Sequence, residues 1–228
     1  QEIYNTNSAI KQYKDIQPNL LNKLITMLPD FQFFYSIEMS GFDTIPNPVN
    51  FHLTMGKAIF IKNNIYVHTT DDILISGDRE ERSLKKDFSN LAVTLQSVDL
   101  TIHRKQFTIL NVHGAAFPGN KLDTKLRLEH SQKLKEFLNS KQGAKIIAGD
   151  FNLLPETQSI KILEDNLRNL IKEFNIQRTR SKLSPFYGRS DFQKFADYTF
   201  VSRGIHVKDF EVPKVDISDH LPMVLEFS

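Results

Sequence analysis

The sequence contains no cysteine, and this absence excludes disulfide bonds and any metal or redox site that depends on thiolates. It has no apolar stretch that approaches the roughly 18 residues of a membrane-spanning helix. The formal net charge is only +2, so any electrostatic binding surface for nucleic acid must be local. The missing cysteines favour a reducing compartment, and we slightly prefer the cytoplasm, although a secreted bacterial enzyme fits the same composition.

The chain has 228 residues, of which 40% are hydrophobic, and this is enough to bury the core of one larger sandwich domain. No linker, internal repeat or low-complexity run divides it. We therefore predict a single domain over residues 1–228 and a monomer, and the sequence names no protein partner.

The pattern of apolar residues predicts mixed secondary structure. Helical spacing predicts one helix over 18–28, a second that Asp123 caps and that ends before Gly143, and a third over 157–171. Alternating or β-branched runs predict strands at 31–39, 58–61, 65–75, 91–102, 107–113, 145–148, 198–202, 206–212 and 223–227, with a loop over 41–50. Strand-rich halves with helices between them favour a two-sheet sandwich covered by helices.

Acid, amide and histidine residues gather in short groups beside these runs. The groups are Gln-Glu at 1–2, Asn-Val-His at 111–113, Gly-Asp-Phe-Asn at 149–152, Ala-Asp-Tyr at 196–198 and Ser-Asp-His-Leu-Pro at 218–222. Any one of them is more often turn chemistry, so the interpretation depends on their conjunction and order. Carboxylates and carboxamides suit Mg²⁺, Mn²⁺ or Ca²⁺, and histidines add acid-base capacity near neutral pH. The combination indicates hydrolysis of a phosphate ester.

In this order the groups resemble the motifs of the endonuclease/exonuclease/phosphatase superfamily, which includes deoxyribonuclease I, exonuclease III and sphingomyelinases. The resemblance extends from residue 1 to about residue 227, and its specific parts are 149–152 and 218–222. It implies the four-layer α/β sandwich of deoxyribonuclease I, with two packed mixed β-sheets flanked by helices. It also implies a phosphoric ester hydrolase that uses Mg²⁺ or Mn²⁺.

The resemblance places Glu2 unexpectedly close to the start of the chain. In the family this glutamate follows a strand, a crossover helix and a second strand, which together take roughly 30 residues. The chain also has no initiator methionine. We therefore expect a longer natural protein, whose amino-terminal strands are lacking in this chain and carry a further asparagine near the metal, and which could include a signal peptide.

By the same match, Glu2, Asp150, Asn152 and Asp219 are expected to bind the metal ion. Asp150 would also position or activate the attacking water, and Asn152 would hold metal or a phosphate oxygen. The structural alternatives are a frayed terminus for Glu2 and an Asx-turn at 150–152, and the second can coexist with a site role.

Two histidines are assigned to the chemistry. Asp197 and His220 are interpreted as a dyad, in which the carboxylate fixes the imidazole tautomer and raises its basicity as a general base. His113 is assigned to the scissile phosphate or the leaving group, as in the branch with deoxyribonuclease I, whereas exonuclease III relatives usually have Pro-Asn there. The alternatives are a turn histidine at 220 and a polar strand end at 113. His130 lies in a leucine stripe and is predicted to be packed.

Residues 178–194 combine cations with aromatic side chains. We expect Arg178, Arg180 and Arg189 to bind substrate phosphates, while aromatic neighbours stack on bases. A solvated loop is an equally weighted alternative. Arg127 and Lys121 would extend the same basic surface.

The leading hypothesis is a nuclease that hydrolyses nucleic-acid phosphodiester bonds by in-line attack of an activated water. The alternative is a phosphatase or sphingomyelinase-like phospholipase acting on a small molecule or a lipid head group. Inositol phosphatases carry Trp-Cys-Asp-Arg where this chain has Phe-Ala-Asp-Tyr at 195–198, which weakens that subclass. A binding module with a lapsed site would have lost a ligand, but every visible motif is intact. The choices of DNA or RNA, endo or exo, and diester or monoester stay open.

Overall fold

The computed structural model describes residues 1–44, 47–78 and 90–228. The helices are α1 (Leu20–Met27), α2 (Lys125–Ser140), α3 (Gln158–Glu164) and α4 (Leu170–Glu173). The strands are β1 (Ile3–Asn5), β2 (Phe31–Ser40), β3 (Thr54–Lys62), β4 (Tyr66–Ser76), β5 (Val93–Ile102), β6 (Lys105–His113), β7 (Ala144–Asp150), β8 (Leu167–Asn169), β9 (Asp197–Ser202), β10 (Val207–Glu211) and β11 (Val224–Phe227). Within these ranges, no helix is long and apolar enough to cross a membrane.

The largest sheet has six strands in the order β4-β5-β6-β7-β9-β8. Its one parallel pair is β6 with β7, which α2 connects, and the other neighbours are antiparallel. Two smaller antiparallel sheets accompany it in the described residues, β1-β3-β2 and β10-β11. The mixed strand order confirms the predicted α/β fold class.

Both faces of the six-stranded sheet are covered. On one face, Val112 of β6 and Leu134 of α2 line a common small cavity. On the other face, Ile109 of β6 and Ile59 of β3 line the cleft between the sheets, and Phe107 meets Phe227 of β11 with ring centroids 5.5 Å apart. Side chains alternate along a strand, so β6 contributes to the core on both sides. This is the predicted sandwich of sheets with helices on its outside.

One predicted helix cap is wrong. Thr124, not Asp123, caps α2, and its hydroxyl accepts the Arg127 backbone N–H at 3.1 Å. Asp123 instead caps α3, because its carboxylate accepts the backbone N–H groups of Gln158 at 2.7 Å and Ser159 at 2.9 Å. Since α2 and α3 pack side by side, a residue just before one helix reaches the first turn of the other.

The predicted helix over 157–171 is also wrong, because strand β8 divides it into α3 and α4. Leu167 pairs with Ser202 of β9, and the Asn169 side chain accepts the Ile171 N–H to start a new helix. The other boundaries agree within a few residues, except that β1 was not predicted. The loop over 41–50 contains no helix or strand in its described part, and residues 45–46 lie outside the described ranges.

The register of the six-stranded sheet places three polar residues side by side at the ends of neighbouring strands. His113 of β6 pairs with Asp150 of β7, and Asp150 pairs with Asp197 of β9. Paired residues on neighbouring strands point to the same face and lie roughly 5 Å apart. Residues 37 and 47 positions apart in sequence therefore become direct neighbours.

Candidate active site

His220 lies between two aspartates. Its Nδ1 is 2.8 Å from Asp197 Oδ2, and its Nε2 is 3.7 Å from Asp150 Oδ2. The loop that carries it is held by the Leu221 N–H, which donates to the Thr179 carbonyl at 2.7 Å. Burial alone would lower the pKa of His220, but the hydrogen bond and charge of Asp197 outweigh it and raise that pKa.

Asp150 is the buried partner on the other side of this histidine. Gly149 precedes it in β7. A side chain does not fit at position 149, because a Cβ there would lie 2.0 Å from the Val112 carbonyl oxygen. Burial and the charge of Asp197 raise the pKa of the Asp150 carboxyl. Ligand atoms of Asp150, Asp197 and His220 lie within 4.8 Å of one another, so this cluster of negative charge would be stabilised by a cation.

Glu2 and Asp219 share a cleft of about 910 Å³ with Asp150 and His220. Asp219 Oδ2 lies 3.6 Å from His220 Nε2, and its side chain is 42% exposed. Glu2 precedes β1, is 69% exposed, and places Oε1 4.0 Å from His113 Nε2. These carboxylate oxygens face solvent beside the buried carboxylate of Asp150. Oxygen donors of this kind fit Mg²⁺ or Mn²⁺.

Both polar atoms of the Asn152 side-chain amide have protein partners. Its Nδ2 donates to the Gly114 carbonyl at 3.1 Å, and its Oδ1 accepts from Lys121 Nζ. The oxygen of this expected metal ligand therefore accepts a hydrogen bond from a lysine. Burial lowers the pKa of Lys121 to about 8, against the opposing charge of Asp150.

His113 belongs to a buried ionic network that the sequence interpretation missed. Its Nδ1 is 2.7 Å from Glu38 Oε2, and Glu38 Oε1 accepts from Lys57 Nζ at 2.6 Å. Burial opposes both shifts, but the charge and hydrogen bond between His113 and Glu38 lower the pKa of Glu38 and raise that of His113. Glu38 therefore favours the protonated form of His113, whose Nε2 lies 4.0 Å from Glu2 Oε1. The available signal was charge within strands: Glu38 and Lys57 interrupt otherwise apolar or neutral runs.

The three predicted arginines lie in different surroundings. Arg180 reaches the cleft, with Nη1 3.3 Å from Asp219 Oδ2. The Arg178 guanidinium lies 5.5 Å from the Tyr187 ring centroid. Arg189 stacks 5.1 Å from Phe186 and pairs with an aspartate at 191, Nε to Oδ1, at 2.9 Å. Only Arg180 of this set directly contacts a site residue in the described contacts.

Two further expectations concern α2. Arg127 was expected to extend the basic surface, and this is wrong: it is buried and donates to the carbonyl oxygens of Leu122 at 2.6 Å and Pro118 at 2.7 Å. It thereby fixes the loop that carries Lys121. His130 is packed as predicted, with Nε2 2.7 Å from Ser76 Oγ.

Carboxylates and two histidines thus meet at the ends of neighbouring strands in a mixed β-sandwich. The sequence matches the Endonuclease/Exonuclease/phosphatase family over residues 7–220. The chain therefore belongs to this family, and the resemblance drawn from its motifs is confirmed. No curated protein matches the chain in sequence.

Several solved structures share the fold. An endonuclease/exonuclease/phosphatase family protein from Leptotrichia buccalis is 18% identical with a TM-score of 0.69, covering 100% of this chain and 85% of its own. A mannosyl-6-phosphatase from Bacteroides thetaiotaomicron is 20% identical with a TM-score of 0.65, covering 92% and 81%. The human Nocturnin catalytic domain, with a bound sulfate anion, is 20% identical with a TM-score of 0.64, covering 96% and 78%. At these identities the likeness establishes the fold.

Proposed function

We propose that this chain is a phosphodiesterase, dependent on Mg²⁺ or Mn²⁺, that hydrolyses phosphodiester bonds of nucleic acid. The observation that carries the proposal is the position of His220, which contacts Asp197 through one ring nitrogen and faces Asp150 through the other. An imidazole oriented by one carboxylate and open towards a cleft is the arrangement that a general base requires. We also propose that residues 1–228 act as one catalytic domain and as a monomer.

The chemistry follows from the two histidines. Asp197 fixes the tautomer of His220, so that Nε2 accepts the proton of a water lying towards Asp150. The water oxygen bonds to phosphorus as the bond to the leaving oxygen breaks in line. His113, kept charged by Glu38, gives its Nε2 proton to that leaving oxygen. A divalent ion held by Glu2, Asp150 and Asp219 would supply neutralisation of the charge that develops on the phosphate.

The rim of the cleft supports a nucleic-acid substrate. Arg180 stands next to Asp219, where it can bind a backbone phosphate. Phe186 and Tyr187 are partly exposed, and each stacks with an arginine of the same loop. Exposed rings next to cations are suited to single-stranded or unpaired bases.

A second candidate, a phospholipase, is favoured by aliphatic side chains at the same rim. Leu183 is 56% exposed and Ile217 is 78% exposed. Their two loops lie side by side, because the Ser181 N–H donates to the Asp219 carbonyl at 2.9 Å. Aliphatic side chains do not stack on bases but insert readily into a lipid surface. The likeness to a mannosyl-6-phosphatase supports instead a phosphatase acting on small molecules.

The test is a metal-dependence screen of the wild type and His220→Ala against plasmid DNA, single-stranded RNA, sphingomyelin vesicles and a generic phosphomonoester. We expect nucleic-acid cleavage that EDTA abolishes, that Mg²⁺ or Mn²⁺ restores better than Zn²⁺, and that His220→Ala lacks. Full turnover with chelator would remove the metal from the mechanism. Activity confined to sphingomyelin or the monoester would replace the nuclease with the corresponding alternative.

A further inference from the structure

Lys121 and Asn152 form an unusual pair beside the site. Both are non-glycine residues with positive φ, 58° for Lys121 and 54° for Asn152. Their loops are tied together by the Leu154 N–H, which donates to the Lys121 carbonyl at 2.9 Å. Left-handed backbone at such residues persists only where the surroundings enforce it, and it concentrates at functional sites. The fold therefore holds this lysine in place at a conformational cost.

The Lys121 ammonium is buried against neutral oxygens. Lys121 is only 9% exposed, and its Nζ contacts Asn152 Oδ1 and the Ala116 carbonyl oxygen, the second at 3.5 Å. Asp150 and Asp197 act on it from a longer distance. In the described ranges no carboxylate forms a direct ion pair with it. A lysine has three N–H donors, so one stays available for a ligand in the site.

The oxygen ligands of the site divide into two sides. On the Lys121 side, Asn152 Oδ1 is occupied by the ammonium, and Asp150 Oδ1 accepts the Asn152 backbone N–H at 2.7 Å. On the other side, Asp150 Oδ2 faces His220, next to the exposed carboxylates of Glu2 and Asp219. Among the described residues, the solvent-facing carboxylate oxygens are thus concentrated on the side away from Lys121.

We propose that the Lys121 ammonium takes the place of a second divalent cation, so that this enzyme works with one metal ion. Phosphoester hydrolases with two metals place the second ion about 3.5–4 Å from the first, where it stabilises one of the reacting oxygens. Here a fixed ammonium on Asn152 supplies that positive charge, and its third N–H donates to a phosphate oxygen. Lys121 is then a catalytic residue, because it touches the substrate phosphate. The inference rests on the proposed function.

The experiment counts Mn²⁺ ions by calorimetry and by electron paramagnetic resonance on the full chain. The variants are Lys121→Ala, which leaves room for an ion, and Lys121→Arg, which keeps the charge. Lys125→Ala is the control, since that side chain is 93% exposed four residues away. We expect one Mn²⁺ in the wild type, Lys121→Arg and Lys125→Ala. We expect two in Lys121→Ala, the second at least about tenfold weaker.

The same proteins are assayed at increasing Mn²⁺. We expect kcat of Lys121→Ala to fall by roughly 10²-fold at low Mn²⁺, the size of effect typical of one lost charge-stabilising donor, and to recover partly as the second ion binds. Two ions in the wild type, or one ion in a folded Lys121→Ala, would overturn the inference. The ion count needs no substrate, so a failure of the proposed nuclease activity would be seen separately from a failure of this one-metal proposal.

Discussion

The pairs His113–Glu38 and His220–Asp197 differ in the further partner of the carboxylate. Glu38, behind His113, is itself neutralised by Lys57, and neither Glu38 nor Lys57 is accessible to solvent to any useful extent. Asp197, behind His220, stands in register with a second buried carboxylate, Asp150, and all of this group lines the cleft.

This difference shows how one motif can serve two purposes. Lys57 stabilises the charge on Glu38, and that charge favours the protonated form of His113. Around His220 two carboxylates face one imidazole, and all three side chains line the open cleft. Groups whose environments differ in this way are suited to act as acid and base in one reaction.

The largest effect should come from breaking the pair of His220 and Asp197. A general base contributes about 10²–10⁴-fold in rate, so His220→Ala should lower kcat by that factor while the protein stays folded and binds Mn²⁺. Asp197→Asn should lose a comparable part, and the double variant should be little worse than His220→Ala, since groups acting as one unit are non-additive. The exposed His206→Ala serves as control. Losses that multiply would contradict the pairing and leave His113 as the candidate base.

Breaking the charged pair should act first on stability. Glu38→Gln removes the carboxylate that pairs with Lys57 and His113, and loss of one partner of a buried ion pair costs about 3–5 kcal/mol in unfolding free energy. Urea denaturation measures this. Adding Lys57→Met to Glu38→Gln should restore part of the stability, because the buried ammonium is then removed together with the carboxylate. A single variant as stable as the wild type would show that the network is not what fixes His113.

A smaller effect is expected at the open rim, where charges are solvated. Replacing Arg178, Arg180 and Arg189 by alanine should raise KM for nucleic acid and leave kcat nearly unchanged, because these residues do not touch the reacting atoms. The slope of log affinity against log salt should fall by about one for each phosphate contact removed. Arg180→Ala should account for most of the change, since Asp191 already neutralises Arg189. An unchanged slope in the triple variant would mean that the loop is only solvated.

The parts of the site that the sequence predicted are those written in contiguous motifs at strand ends. Residues 149–152 and 218–222 each place several polar groups within one turn, so their position follows once the strands are recognised. Glu38 and Lys57 could not be found in this way. Their pairing depends on the register of β2 with β3, which is set by long-range contacts and includes an irregularity between Ile37 and Met39.

The errors in the predicted secondary structure have a similar origin. Leu163, Leu167 and Leu170 are all buried, so apolar spacing continues through the break between α3 and α4 and hides strand β8. Asp123 and Thr124 are both good caps, and only the packing of α2 beside α3 decides which helix each one serves. Lys121 is a loop residue in sequence, and its burial on Asn152 arises from the contact between two loops.

The smallest effect concerns a third histidine, which tests whether the carboxylates cause the raised pKa of the other two. His130 is packed on α2 with a hydroxyl partner and no carboxylate bonded to its ring in the described contacts, and burial, with the charge of Lys133, lowers its pKa to about 4. In the unfolded chain a histidine has a pKa of about 6.5, so the unfolded state binds more protons between these values. His130 should therefore reduce stability as pH falls from about 6.5 towards 4. Thermal unfolding at pH 7 and pH 5 should show a larger loss for the wild type than for His130→Gln, with the exposed His206→Gln behaving like the wild type. Equal losses in all three would show that the pKa of His130 is not lowered in the folded protein, and would weaken the assignment of the raised values at His113 and His220 to their carboxylates.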